Sequence, residues 1–212
     1  MNKIILLSIL ILFNIQSIWA EPHFLQNEEN AINGKYKDKM AAMPDGIYFT
    51  PALVSAEGDN YFSPSLGLVT NDGDSPFFSI ISINYMQIRR ADVITPSITV
   101  ANQISSGISL YLNCSNSFLI YQEDVYTAIS ATIGFITHQL IEDEIGLSFQ
   151  LGYGIGISGD IKSSAFSFGG GITLPVAKSV SMQPSLEIAV NPDENSNSFG
   201  VGISFIFKVD DY

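Results

Sequence analysis

The stretch Ile145-Gly146-Leu147-Ser148-Phe149-Gln150-Leu151-Gly152-Tyr153-Gly154-Ile155-Gly156-Ile157 decides the architecture. Every odd position carries a large apolar side chain, and every even position carries Gly, Ser or Gln. A period of two is the signature of a strand, whose successive side chains point to opposite faces. A soluble sandwich would turn the large face inward and put Lys, Glu, Thr and Arg on the other. A solvent face of Gly and Ser packs poorly and solubilises weakly. A transmembrane barrel turns its large face to lipid and its small or polar face to a lumen. Length agrees, because a strand needs about 9–11 residues to cross a bilayer with tilt, whereas soluble strands more often run about 5–6.

The pattern spreads in both directions. It recurs at Val125, Thr127, Ile129, Ala131, Ile133 and Phe135, and again at Val180, Met182, Pro184, Leu186, Ile188 and Val190. It closes the chain at Phe199, Val201, Ile203, Phe205 and Phe207, against Gly200, Gly202 and Ser204. Joining 145–157 to 164–174 through Ser158–Lys162 places Tyr153 opposite Phe168, Ile155 opposite Phe166 and Gly152 opposite Gly169. A slip of one residue would lose that match. In the last hairpin the same reasoning puts Glu187 opposite Gly202 and Lys208 opposite Ser181, so Glu187 and Lys208 form no cross-strand ion pair.

The candidate strands are 46–56, 61–70, 76–88, 92–101, 104–113, 117–122, 125–137, 145–157, 163–174, 179–190 and 198–208. Single-chain bacterial barrels hold even numbers of strands, and 117–122 is the weakest member, so about ten are expected within a range of eight to twelve. Most acidic residues fall between these runs: Glu57 with Asp59, Asp72 with Asp74, Glu123 with Asp124, Glu142 to Glu144, and Asp193 with Glu194. Asn71–Pro76 and Asn191-Pro192-Asp193 are chain breakers. No charge lies between Asp92 and Glu123, yet Pro96, Asn102, Gln103, Gly107 and Asn113 exclude a membrane helix there.

Residues 1–20 read as a secretory signal peptide, with Lys3, an apolar run from Ile4 to Phe13, and Ala20 at the cleavage position. The alternative is an uncleaved anchor, for which the run falls short of the ~20 residues that span a bilayer. Residues 21–45 form a charged leader segment containing Lys35, Lys37 and Lys39, and residues 46–212 form the barrel domain. The formal charge is 9 − 21 = −12, and hydrophobic residues reach 46% against 14% charged. That composition excludes disorder and argues against a nucleic-acid partner, which requires a basic footprint. One cysteine, Cys114, excludes an internal disulfide framework or a multi-cysteine metal site.

The signal segment, the outward apolar stripes and the aromatic-rich final strand resemble those of bacterial outer-membrane β-barrels. The likeness covers about residues 46–212. It implies an antiparallel transmembrane β-barrel in the outer membrane of a Gram-negative bacterium, with outer-membrane lipid as partner. The final aromatic, Tyr212, is one residue out of phase with the stripe that ends at Phe207. Tyr61, Phe62, Phe77, Phe78, Tyr121, Tyr126, Tyr153, Phe166 and Phe168 lie near strand ends, where interfacial girdles form; the competing account is that aromatics simply favour strands.

Chemistry is sparse. His23 lies in the leader. His138 is placed in a turn beside Glu142, Asp143 and Glu144, but no Gly-x-Ser-x-Gly accompanies it, so no catalytic residue is assigned. The carboxylate pairs lack calcium-loop spacing, and no metal or cofactor is assigned. Cys114 falls in an expected turn, Asn113-Cys114-Ser115-Asn116. Gly169-Gly170-Gly171 lies inside a strand, so it marks close backbone approach or a bend rather than a phosphate cradle. Arg89-Arg90 is a candidate contact for lipid headgroups, or else a turn that keeps a strand end in water. The lumen-facing candidates are Gln150, Gln183, Glu187 and Lys208, with Ile206 also inward. They form no charged ring for ion selection. The expected function is a non-enzymatic outer-membrane barrel, read either as a narrow pore for small solutes or as a structural or surface-interaction barrel. The rival readings are a soluble secreted β-sandwich or barrel that binds a ligand, and a barrel hydrolase using His138. The oligomeric state is left open.

Overall fold

The structure is a computed structural model that describes residues 46–71, 76–105, 107–142, 145–177, 179–192 and 195–208. The expected signal peptide, the leader with its lysines and His23, the acidic pairs Asp72/Asp74, Asp143/Glu144 and Asp193/Glu194, and Tyr212 lie outside the described residues.

The strands are β1 Gly46–Thr50, β2 Ala52–Ala56, β3 Asp59–Phe62, β4 Ser65–Asn71, β5 Phe77–Ile88, β6 Ala91–Ser105, β7 Ile108–Tyr121, β8 Asp124–Glu142, β9 Ile145–Ser158, β10 Ile161–Ala177, β11 Val180–Asn191 and β12 Ser196–Lys208. All pairings are antiparallel between neighbours, and β12 returns to pair with both β1 and β2, so the sheet closes on itself. Pro51 separates β1 from β2, and Ser63-Pro64 separates β3 from β4. Each pair acts as one stave, because proline lacks the N–H that would continue the ladder. Backbone bonds stitch the gaps: Ser63 N donates to Ala52 O (2.8 Å), Tyr85 N to Pro64 O (3.0 Å) and Ile203 N to Pro51 O (3.2 Å). The result is a closed barrel of ten staves.

Large apolar side chains stand outward on every wall, among them Phe149, Leu151, Ile83, Ile98 and Phe199, while the alternate positions are buried inside. This is the inverse of a soluble fold and the arrangement of a lipid-facing barrel. Four two-residue turns lie at one end, 57–58, 89–90, 122–123 and 159–160. Left-handed residues lead each of them: Glu57 (φ 53°), Arg89 (56°), Gln122 (57°) and Gly159 (59°). A positive φ matches the right-handed twist of the flanking strands, which is why such turns close hairpins tightly.

Several expectations are corrected. The runs 104–113 and 117–122 are not two strands; β7 runs unbroken through Asn113–Asn116, and Cys114 is an exposed, outward-facing strand residue rather than part of a turn. Asn113 and Ser115 are inward and bond to Thr99 and Ser130 across the lumen wall, while Asn116 shares the outward phase of Cys114. His138 is also not in a turn: its backbone lies in β8, opposite Ser148. Both hairpin registers differ by two residues from expectation. Tyr153 meets Phe166 rather than Phe168, and Ile155 meets Ser164 rather than Phe166. Glu187 meets Gly200 rather than Gly202, Ser181 meets Ile206, and Lys208 pairs with Gly46 on β1. The turns are shorter than expected, and a shift of two keeps each side chain on its face. Tyr61 and Phe78 are buried inside rather than set in an outer girdle, and Tyr121 and Tyr126 pack against the same interior.

The turn geometry makes a testable point. Gly159→Val forces a β-branched residue into the left-handed region at a cost of about 1–2 kcal/mol. It should lower the temperature at which the compact, unboiled gel band converts to the boiled one. Gln122→Gly, which relieves the same conformation, should not lower it.

Candidate functional site

Among the described residues, the lumen gathers the buried polar groups, and it is layered. Near the Arg89-Arg90 end, Ala56, Tyr61, Met86, Ile88, Ala91, Val93, Leu119, Ala128 and Ala165 form an apolar cluster, backed by Tyr121, Tyr126 and Ile161. Near the opposite end, Tyr48, Val69, Phe78, Ile80, Ala101, Tyr111, Ile136 and Ile206 form a second. Between them runs a belt of small hydroxyl and amide side chains. Ser82 and Ser97 pair at 2.5 Å, Thr95 and Ser117 at 2.5 Å, Ser115 and Ser130 at 2.8 Å, and Thr50 donates to Ser204 at 2.8 Å. Ser82 and Ser97, and Ser115 and Ser130, are direct cross-strand partners, so the alternation that makes the outer stripe also brings the hydroxyls together.

Size matching fills the interior. Tyr48 on β1 lies against its cross-strand partner Gly67, and the ring occupies the space a side chain at Gly67 would need. Tyr111 on β7 does the same across two strands: its ring covers Gly134 and its hydroxyl reaches Gly152, the next residue along that ladder. Tyr48, Tyr111, Ile80 and Met86 are completely enclosed. Gly67, Gly134 and Gly152 are thus sockets for large inward residues of neighbouring strands. Sequence reasoning missed Tyr48 and Tyr111, whose neighbours in the chain are also large and apolar. The available signal was a large residue in inward phase with glycine opposite, and it becomes visible only once the register is known.

The lumen candidates fall as follows. Gln150, Gln183 and Glu187 are buried inside the barrel. Gln183 Nε2 donates to Ser148 Oγ at 3.4 Å, whose hydroxyl donates to Gly171 O at 3.4 Å. Glu187 is 6% exposed and is the one charged side chain buried in the lumen among the described residues; its Oε1 has no hydrogen-bond partner. Its direct partners are glycines on both sides, Gly169 on β10 and Gly200 on β12. Lys208 holds its backbone place at the end of β12, and its side chain, like that of His138, lies outside the described ones. The structure does not bring Gln150, Gln183 and Glu187 into one hydrogen-bonded group.

Arg89 and Arg90 form the turn between β5 and β6. Arg89 Nη2 is bonded to Asp59 Oδ2 at 3.1 Å, with both side chains about half exposed or more. Such a surface pair contributes about 0–1 kcal/mol. Tyrosines brace carboxylates along the same rim: Tyr61 donates to Asp59 (3.2 Å), Tyr85 to Asp92 (2.7 Å) and Tyr126 to Asp124 (3.2 Å).

Comparison with known proteins supports the architecture. The β domain of the Bordetella autotransporter BrkA superposes with a TM-score of 0.53 at 8% identity, covering 78% of this chain and 100% of that one. The chain folds as an outer-membrane-type β-barrel. The NanC porin gives a TM-score of 0.45 at 10% identity, covering 78% and 98% of the two chains. The monoaromatic hydrocarbon channel CymD gives 0.40 at 8%, covering 90% and 95%. At these values neither likeness says anything about what passes through this barrel. No family model and no curated protein matches the sequence.

Two substitutions test the packing. Gly152→Val places side-chain atoms where the Tyr111 hydroxyl and Ser167 Oγ lie, an overpacking that costs about 1–3 kcal/mol or more. The unboiled compact band should weaken or vanish, and Gly152→Val with Tyr111→Ala should restore part of it. Glu187→Gln replaces a buried carboxyl, whose ionised form is costly to bury, with a neutral side chain of the same shape, so it should raise the unfolding temperature in detergent. A lowered temperature would mean that the carboxylate has a stabilising partner.

Proposed function

We propose that this chain is a non-enzymatic barrel of the Gram-negative outer membrane whose lumen is closed, serving a structural or surface-interaction role rather than passing solutes. The observation that carries this reading is the filled interior. Inward side chains from both apolar clusters and from the polar belt are almost entirely enclosed. A water-filled pore would leave such residues wetted, and it would not place Ile206, Ile80 and Met86 in its path. The outer apolar belt supports the membrane location, and no helix among the described residues is long and apolar enough to supply a span instead. Hairpin connections of two to four residues leave the Arg89 rim without a broad loop platform. Contacts with the surroundings then fall mainly to the outer wall, with lipid as its partner. In this reading exposed Arg90 meets anionic headgroups at the rim, while Arg89 is held by Asp59.

Purified, heat-modifiable protein in a planar bilayer should give no current above the lipid background. Reproducible ohmic steps in symmetric salt would overturn the closed-lumen reading in favour of a narrow pore. Recovery of the mature chain in the soluble fraction, with no difference between boiled and unboiled samples, would overturn the membrane reading itself.

A further inference from the structure

The outward face of the described strands carries a single glycine, Gly170 on β10. All other glycines of the described strands point inward, and Gly58, Gly107 and Gly159 sit in turns. Its absent side chain opens a groove of about 520 Å³ in the apolar belt, walled by Leu147 and Phe149 of β9, Phe168 and Ile172 of β10, and Pro184 and Leu186 of β11. Gly170 lies near the middle of β10, which runs from Ile161 to Ala177, so the groove sits at the depth of acyl chains rather than of headgroups. We propose that this groove is a binding site for one acyl chain of a membrane lipid.

Three arguments select that occupant, given the membrane location proposed above. First, the groove is continuous with the lipid-facing belt, and its walls are carbon. An apolar recess takes up no water, and an unfilled one forfeits dispersion contacts along its whole lining. Second, no side chain lining the groove carries a charge, and its one hydroxyl residue, Ser185, belongs to the inward-facing phase of β11 that it shares with Gln183 and Glu187. Third, a symmetric second copy would present the same recess. A two-fold contact would set groove against groove and leave both unfilled. A single flexible hydrocarbon chain fits where a rigid convex wall does not. Closing the groove with a larger residue would require its neighbours to give by a few tenths of an ångström, because a Cβ at Gly170 would stand 3.0 Å from Ser148 O and 3.2 Å from the Phe149 ring.

The test is native mass spectrometry of the barrel extracted from outer membranes in mild detergent, after fractionation has established where it resides. The wild-type barrel should retain one phospholipid or lipid A mass per chain under conditions that strip the rest. Leu186→Trp, which fills the recess from its exposed wall without touching the crowded backbone, should lose the adduct, and Gly170→Leu should lose it too if that variant still gives a heat-modifiable band. Ile83→Trp, on the opposite outer wall, should keep it. A wild-type barrel with no retained lipid, or equal retention in Leu186→Trp, would overturn the proposal. So would disulfide-linked dimers through Leu186→Cys that carry no lipid, which would make a second copy the occupant. Recovery of a soluble chain would instead remove the membrane reading beneath it, a result distinct from an inserted barrel that holds no lipid.

Discussion

Everything in this molecule depends on the satisfaction of backbone hydrogen bonds where no water can help. An unpaired N–H or C=O in hydrocarbon costs several kcal/mol, so a spanning sheet must have no edge. The pairing of β12 with β1 and β2 removes the edge. Local irregularities obey the same demand. Pro51 and Pro64 cannot donate, yet their carbonyls accept from Ile203 and Tyr85, so the ladder survives its two breaks. The side-chain pattern is then secondary: alternation matters because a closed wall has only two faces, one against lipid and one against the lumen.

Closure also fixes how much volume the inner face must fill. Ten staves leave an interior narrow enough for side chains to occupy. Large inward residues laid over glycines of neighbouring strands help to fill it, as with Tyr48 against Gly67 and Tyr111 across Gly134 and Gly152. Part of the polar belt satisfies itself through paired hydroxyls, as at Ser82–Ser97 and Ser115–Ser130, and Glu187 is the one carboxyl buried among the described residues. The outer wall shows the converse. Where glycine occupies an outward place, as at Gly170, the missing volume is left for the surroundings to supply.

Much of this was legible in the chain itself. The phase of each strand could be read because large side chains occupy one face only, and the stripes from Ile145, Val180 and Phe199 all point outward as read. The even-number constraint identified the surplus strand. Register was less accessible. Turn length is set by backbone conformation at residues such as Gly159 and Gln122, and the polar residues flanking a turn look the same in sequence as polar residues facing a lumen. That ambiguity explains why Asn113–Asn116 read as a turn although it is mid-strand wall. It also hid the site: which glycine lies under which tyrosine is a property of the ladder, not of any one segment. Tyr61 and Phe78 misled for a related reason, since nearness to a strand end fixes depth but not face.

The brevity of the hairpin connections has a consequence for assembly. To insert, a barrel must carry one of its rims through the hydrocarbon, and the work of that passage grows with the charge and polar surface it drags along. Connections of two to four residues keep the load small on the Arg89 rim. Asp59 there is paired with Arg89, and Asp59 and Asp92 already accept hydrogen bonds from tyrosine hydroxyls. For entry with that rim leading, the barrier is set by the staves themselves more than by the loops that join them.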